Sequence, residues 1–301
     1  MVKDKIYGIT ISEKQINTKK IAILILLIIV AIGLILVARN AINEIKSHKA
    51  YKQYEAQLAT LAKQEEMKQQ EVVAEEKTPE MPQLTEEARK NIENIYHAET
   101  KRAFLTFDDG PSTVTPTILD ILKQENIKAS FFVLGSRVNA MPEMTKRMYD
   151  EGHYIANHGY SHSYSAIYAS PQAVLDEFNE CNKAVRNAIG VPEYHSHLFR
   201  FPGGLPGGKY AEIKRQAREL LSQNDIVNID WNALTGDAET ANPTVEFEMQ
   251  RIQETVNNKN SVVILMHDAQ AKAVTAESLP QIIRWLKENG YEFKNFYEIM
   301  K

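Results

Sequence analysis

The stretch RAFLTFDDGPST (102–113) ends an apolar run on two adjacent carboxylates, Asp108 and Asp109, followed by Gly110 and Pro111. Like charges at the end of a buried strand raise each other's pKa and resist burial, so the pair calls for a compensating cation. Neighbours on an extended segment point to opposite sides, so one carboxylate can ligate a metal while the other stays free as a base. A second segment, NHGYSH (157–162), sets His158 and His162 four residues apart. On a helical turn both imidazoles share a face, and two imidazoles with one carboxylate make a three-ligand site that suits zinc and leaves positions open for water. A third, RFPGG (200–204), follows Leu198 and Phe199 and puts an arginine inside an apolar run. Arg200 beside a carboxylate would lower its pKa and orient it, and the Pro-Gly-Gly turn can aim N–H groups at an oxyanion. In LMHD (265–268), His267 closes the most hydrophobic strand candidate and can serve as general acid for a leaving amine. Each motif alone has an ordinary explanation: an Asx-turn at DG, incidental histidines, a tight loop, a core histidine. Together they describe a metal-assisted hydrolytic site.

The elements that must position these groups alternate. Strand candidates fall at 103–107, 129–135, 154–158, 198–202, 226–232, 262–268 and 292–299, with helical runs near 115–126, 142–151, 171–188, 208–222, 243–258 and 275–289. Pro116, Pro142, Pro171 and Pro243 sit near helix starts, where proline is tolerated. Strand–helix alternation over some two hundred residues predicts a parallel α/β architecture of barrel type. Asp108–Asp109 follow the first strand, His158 ends the third, Arg200 lies in the fourth, Asp237 follows the fifth and His267 ends the sixth. In such a barrel the C-terminal strand ends converge on one face, so residues distant in sequence meet at one cleft. Asp230 and Trp231 are placed to line it. His153, His195 and His197 precede their strands and belong at the opposite end, His48 and His97 lie outside the strand framework, and Cys181 reads as a small core residue.

The N-terminal third is different. Residues 21–38, IAILILLIIVAIGLILVA, carry no charge and no proline, and at about 1.5 Å per residue span close to the ~30 Å of a bilayer core. Lysines precede the run, no cleavage site follows it, and we read an uncleaved signal anchor. This divides the chain into a cytoplasmic tail (1–20), a single transmembrane helix (21–38), a partly helical stalk or linker (39–99) and a catalytic domain (100–301). A net charge of −4 gives no reason to expect a nucleic-acid partner, and one cysteine excludes an internal disulfide framework.

The ordered set TFDDGP (106–111), HGYSH (158–162), RFPGG (200–204), DWNALTGDA (230–238) and LMH (265–267) resembles the polysaccharide deacetylases of carbohydrate esterase family 4, the NodB-homology domain, over about residues 100–301. The resemblance implies a distorted (β/α) barrel and hydrolysis of an N-acetyl group from an amino sugar. It implies that Asp109, His158 and His162 hold a divalent metal, zinc first with cobalt or manganese also accommodated. It further implies that Asp108 is the base, held by Arg200. His267 is then the acid, tuned by Asp237. Leu265 lines the acetyl pocket, Trp231 the cleft, and the Gly203 N–H the oxyanion site. The chain departs from the family at Gly203 and Ala238, where many members carry larger residues; both changes are expected to open the cleft wall. The expected substrate is peptidoglycan (GlcNAc or MurNAc), with the domain outside the cell. The alternatives are another N-acetylglucosamine polymer, a non-catalytic wall-binding module, and a scaffold acting through the stalk.

Overall fold

The computed structural model of the protein describes residues 81–300, so the apolar run 21–38 and most of the stalk lie outside the described residues. No helix among the described residues is long and apolar enough to cross a membrane. Eight parallel strands are β1 (Arg102–Asp108), β2 (Ser130–Val133), β3 (Tyr154–Asn157), β4 (Leu198–Phe199), β5 (Val227–Asn228), β6 (Ala233–Leu234), β7 (Ser261–His267) and β8 (Glu292–Lys294). They are ordered β5-β4-β3-β2-β1-β7-β6, with β8 beside the first half of β1. The ends of this path, β5 and β6, are four residues apart in the chain and show no ladder between them. The sheet must therefore curl until its edges approach, giving an open half-barrel bridged by residues 229–232. One strand expected over 226–232 is thus two short ones on opposite edges, and Asp237 follows the sixth strand while His267 ends the seventh.

The helices are α1 (Glu86–Glu93), α2 (Thr115–Gln124), α3 (Gly135–Ala140), α4 (Pro142–Asp150), α5 (Tyr164–Ile167), α6 (Pro171–Ile189), α7 (Ala211–Gln223), α8 (Val245–Val256) and α9 (Ala273–Glu288), with a 3₁₀ turn at Phe296–Glu298. Local signals account for their starts. Ser170 and Thr244 accept N–H bonds at α6 and α8, and proline opens α4 and α6. The central strands are buried on both faces, as a parallel sheet covered by helices requires. One core joins Leu105, Phe107 and Phe131 to α2, α6 and α9. A second packs Ala88 and Ile92 of α1, and Ile95 after it, against Phe104, Phe132 and Phe296. The helix ahead of residue 100 is therefore part of the same packed body as β1. Thr85 caps it, accepting the Ala88 N–H at 3.0 Å.

Candidate active site

Strand register assembles the site. Asp108 lies opposite His267 in the β1–β7 ladder and opposite Phe132 in the β1–β2 ladder. Val133 pairs with Asn157, and Asn157 with Phe199. The residues following these positions, Asp109, His158 and Arg200, therefore emerge at one rim. The structure brings Asp108, Asp109, His158, His162, Arg200, Asp237 and His267 to that end, and leaves His153, His195 and His197 ahead of their strands.

Asp109 Oδ1 is 3.5 Å from His158 Nε2 and 3.3 Å from His162 Nε2. One ligand atom from each of the three lies within 4.8 Å of the others. His158 Nδ1 sits 2.8 Å from the Arg200 carbonyl, which makes Nδ1 the protonated nitrogen and leaves the Nε2 lone pair directed at the site. Burial pushes its pKa down to about 3, against the pull of Asp109, so the ring is neutral as a ligand must be. Asp109 Oδ1 is buried with no hydrogen-bond partner, a costly state for a carboxylate oxygen that a cation would relieve. The donor set fits a divalent metal without choosing among zinc, cobalt and manganese.

Asp108 is 2 % exposed, and burial raises its pKa while Arg200 and His267 pull it back. Arg200, 0 % exposed, donates from one Nη to Asp108 Oδ1 at 2.7 Å and to the Thr106 hydroxyl at 2.9 Å. Its remaining donors reach the carbonyls of Ile229 (3.1 Å) and Asp230 (3.0 Å), and its guanidinium lies 3.9 Å from the Phe132 ring centre. One carboxylate oxygen of Asp108 is thus fixed, and the other, Oδ2, faces His158 Nε2 at 3.8 Å.

On the neighbouring strand, His267 Nδ1 is 2.9 Å from Asp237 Oδ1, and the His267 backbone N–H donates to Asp237 Oδ2 at 2.8 Å. Thr275 completes that carboxylate at 3.0 Å. Burial lowers the imidazole pKa, but the hydrogen bond and charge of Asp237, with Asp108 and Asp109 beyond, outweigh it and carry the pKa up to about 9. His267 is therefore protonated at neutral pH with Nε2–H available. Leu265, 8 % exposed, shares its strand face with His267. Trp231 is half-buried, within 5.8 Å of the Arg200 guanidinium.

Gly203 has φ +74, and a Cβ there would lie 2.5 Å from the Tyr164 hydroxyl. The space expected to open beside Gly203 is filled by Tyr164 of α5, whereas Ala238 is simply exposed.

Three supporting residues escaped the sequence reading. Glu177 of α6 accepts the Tyr160 and Ser161 N–H groups at 2.6 and 2.7 Å and the Ser161 hydroxyl at 2.5 Å, stapling the loop between the two histidines. Asp268, fully buried, is pushed up to about 7 by burial and by Asp109 and Asp108. Its carboxyl fills the place a Gly110 side chain would take and accepts the Thr115 hydroxyl at 2.6 Å. Tyr164 is the third. For Asp268 a signal existed, the carboxylate next to His267; for Glu177 and Tyr164 nothing in the spacing marked them.

A sequence model of the polysaccharide deacetylase family matches residues 95–224. The chain is 34 % identical over 204 residues to a peptidoglycan-N-acetylglucosamine deacetylase of Bacillus cereus, covering 66 % of this chain and 71 % of that one. It is similar to the structure of a Streptococcus mutans CE4 esterase at 32 % identity and a TM-score of 0.62, covering 68 % and 90 % of the two chains. It is also similar to the catalytic domain of a peptidoglycan N-acetylglucosamine deacetylase from Eubacterium rectale at 32 % identity and a TM-score of 0.61, covering 66 % and 90 %. An open parallel half-barrel, a two-histidine, one-carboxylate cluster at its rim and these similarities agree, and the chain belongs to the polysaccharide deacetylase family of carbohydrate esterases, CE4.

Proposed function

We propose that the protein removes the N-acetyl group of amino sugars in peptidoglycan, releasing acetate. One observation carries this reading: an arginine-clamped carboxylate, Asp108, and a carboxylate-held imidazolium, His267, lie opposite each other in the β1–β7 ladder at the rim that carries the Asp109–His158–His162 cluster. An amide is a weak electrophile with a poor leaving group, so its hydrolysis needs a base for water and an acid for nitrogen. Asp109, His158 and His162 would hold a divalent cation, which when bound would polarise the acetamide carbonyl and acidify a water. Asp108 accepts the water proton on Oδ2, the oxygen Arg200 leaves free. His267 Nε2–H protonates the departing nitrogen while Asp237 keeps Nδ1 protonated and the ring oriented. The Gly203 N–H is proposed to bind the developing oxyanion, and Leu265 to pack against the acetyl methyl.

The peptidoglycan assignment is supported by the named substrates of the relatives and by the apolar run at 21–38. We propose the run as a single-pass anchor with the N-terminus in the cytoplasm and the catalytic domain outside, where wall glycans lie. Acetate release from purified peptidoglycan by the full chain in detergent, with zinc supplied, tests the reading. Asp108→Asn should abolish release while keeping the fold. Release unaffected by that change would remove Asp108 from its role. Release from N-acetylglucosamine oligomers alone would move the substrate to another polymer.

A further inference from the structure

The deacetylase reading leaves open how the enzyme chooses among N-acetylated polymers. A pocket of about 310 Å³ adjoins the metal-ligand cluster, and Asp109 and His162 line it together with Ser136, Arg137 and Gln270. Because two ligand residues form one wall, whatever fills it is part of the same substrate. Arg137, in α3, is exposed. Arg89, Arg147, Arg215 and Arg251 are ion-paired with carboxylates, but among the described residues Arg137 has no such partner. Its backbone is nonetheless fixed relative to the site. The Gly135 and Ser136 N–H groups donate to the carbonyls of Gly159 and Tyr160, each at 3.0 Å, tying the start of α3 to the loop that carries His158 and His162. A Cβ at Gly135 would meet the Tyr160 ring at 2.5 Å and the Cys181 backbone at 2.7 Å, so that close approach requires glycine.

We propose that Arg137 and this pocket form a subsite for a carboxylate carried on the glycan beside the acetamide being cleaved. The proposal rests on the deacetylase reading. A guanidinium offers a planar fork of donors that matches a carboxylate in two parallel bonds. An unpaired arginine at a fixed position beside a reaction centre is the feature such recognition needs. Peptidoglycan supplies the group in two ways: the lactyl ether of its alternate sugars ends in a carboxylate when unsubstituted, and peptide stems carry carboxylates when attached. Neutral N-acetylglucosamine polymers supply neither. Arg137 thus separates acidic wall glycan from chitin-like chains, independently of the chemistry at Asp108 and His267.

The test compares the full chain with Arg137→Gln and Arg137→Lys on three substrates of matched length: stem-free glycan strands, stem-bearing strands, and neutral N-acetylglucosamine oligomers. Arg137→Gln should lower the ratio of kcat/KM on acidic strands to kcat/KM on neutral oligomers by about tenfold, the scale of one charge-assisted hydrogen bond. Arg137→Lys should retain part of the ratio, and added salt should shrink it in the parent enzyme because the site is exposed. A fall confined to stem-free strands assigns the lactyl carboxylate; one confined to stem-bearing strands assigns the stem. An unchanged ratio, whether activity drops everywhere or nowhere, overturns the proposal while the deacetylase reading stands. A parent enzyme inactive on all three substrates overturns that reading and the subsite with it.

Discussion

Replacing Asp237 with asparagine isolates the acid. Asparagine keeps the shape and an acceptor for the His267 Nδ1–H at 2.9 Å, but removes the charge and turns its amide nitrogen toward the His267 backbone N–H and the Thr275 hydroxyl. Burial favours the neutral ring, and the hydrogen bond and charge of Asp237 reverse that, taking the pKa from 6.5 to about 9. At about 1.4 kcal/mol per pKa unit, the gap corresponds to about 3 kcal/mol in favour of the imidazolium. Lys272 Nζ donates to the Asp237 backbone carbonyl at 2.6 Å, a contact that does not use the carboxylate and stays in place in the variant. The basic limb of kcat/KM reports the acid in the free enzyme. It should move to lower pH in Asp237→Asn, and in the metal-free protein the ring pKa should fall from about 9 to 6.5 or below, leaving at pH 8 no more than about a thirtieth of the ring protonated. Stability follows the same charge. A folded pKa above the unfolded one stabilises fully below pH 6.5, and the gain is lost as pH rises through about 9. Metal-free wild-type protein should therefore lose about 3 kcal/mol across that window in urea melts, and Asp237→Asn should be nearly flat. NMR titration of the imidazole reads the pKa directly. A basic limb and a ring pKa unmoved by Asp237→Asn would refute the coupling.

Arg200→Met leaves Asp108 buried without its cation and two carbonyls without donors, and should cost about 3–5 kcal/mol in chemical denaturation with the metal absent. Glu177→Gln cannot accept from both loop N–H groups and a hydroxyl. Zinc affinity in chelator competition should drop about tenfold while the far-UV spectrum is kept, the pattern expected of a residue that positions ligands. Deleting residues 1–99 removes Ala88, Ile92 and Ile95 from the second core. With each isoleucine worth about 1.5–3 kcal/mol on burial, the remainder should lose cooperative melting, whereas a deletion ending at residue 80 should keep it.

Much of this site was legible because its chemistry sits where strands end. Alternating apolar and amphipathic runs give parallel strands, and parallel strands put Asp109, His158 and His267 on one rim whatever their separation in sequence. Periodicity could not show that residues 226–232 split between opposite edges, because the break is made by closure of the half-barrel and not by local propensity. Short elements were hidden for a similar reason. The turns of helix at Gly135–Ala140 and Tyr164–Ile167 are held by contacts to the histidine loop and to Gly203, and neither carries a periodic signal. Glu177 was invisible because an exposed-looking glutamate on an amphipathic helix is the ordinary case; only the fold aims it at two loop amides.

The two adjacent aspartates have unequal surroundings, and that inequality yields a last test. Asp108 has one oxygen pinned by Arg200 at 2.7 Å, while Asp109, at φ +74, turns a buried and unpartnered oxygen toward both histidines. A non-glycine residue in left-handed backbone and an orphaned carboxylate oxygen each cost folding free energy, so binding that engages this oxygen should return it as stability. Zinc at about a hundred times its dissociation constant should stabilise the protein by about 2.7 kcal/mol, a rise in Tm of about 5–10 °C for a domain of this size. Asp109→Asn should lose most of that rise. Asp108→Asn, inactive in acetate release, should keep it, because its carboxylate carries the proton and not the ion. If Asp108→Asn abolished the zinc-dependent rise and Asp109→Asn preserved it, the two roles would have to be exchanged, and the clamp by Arg200 would be holding a ligand instead of a base.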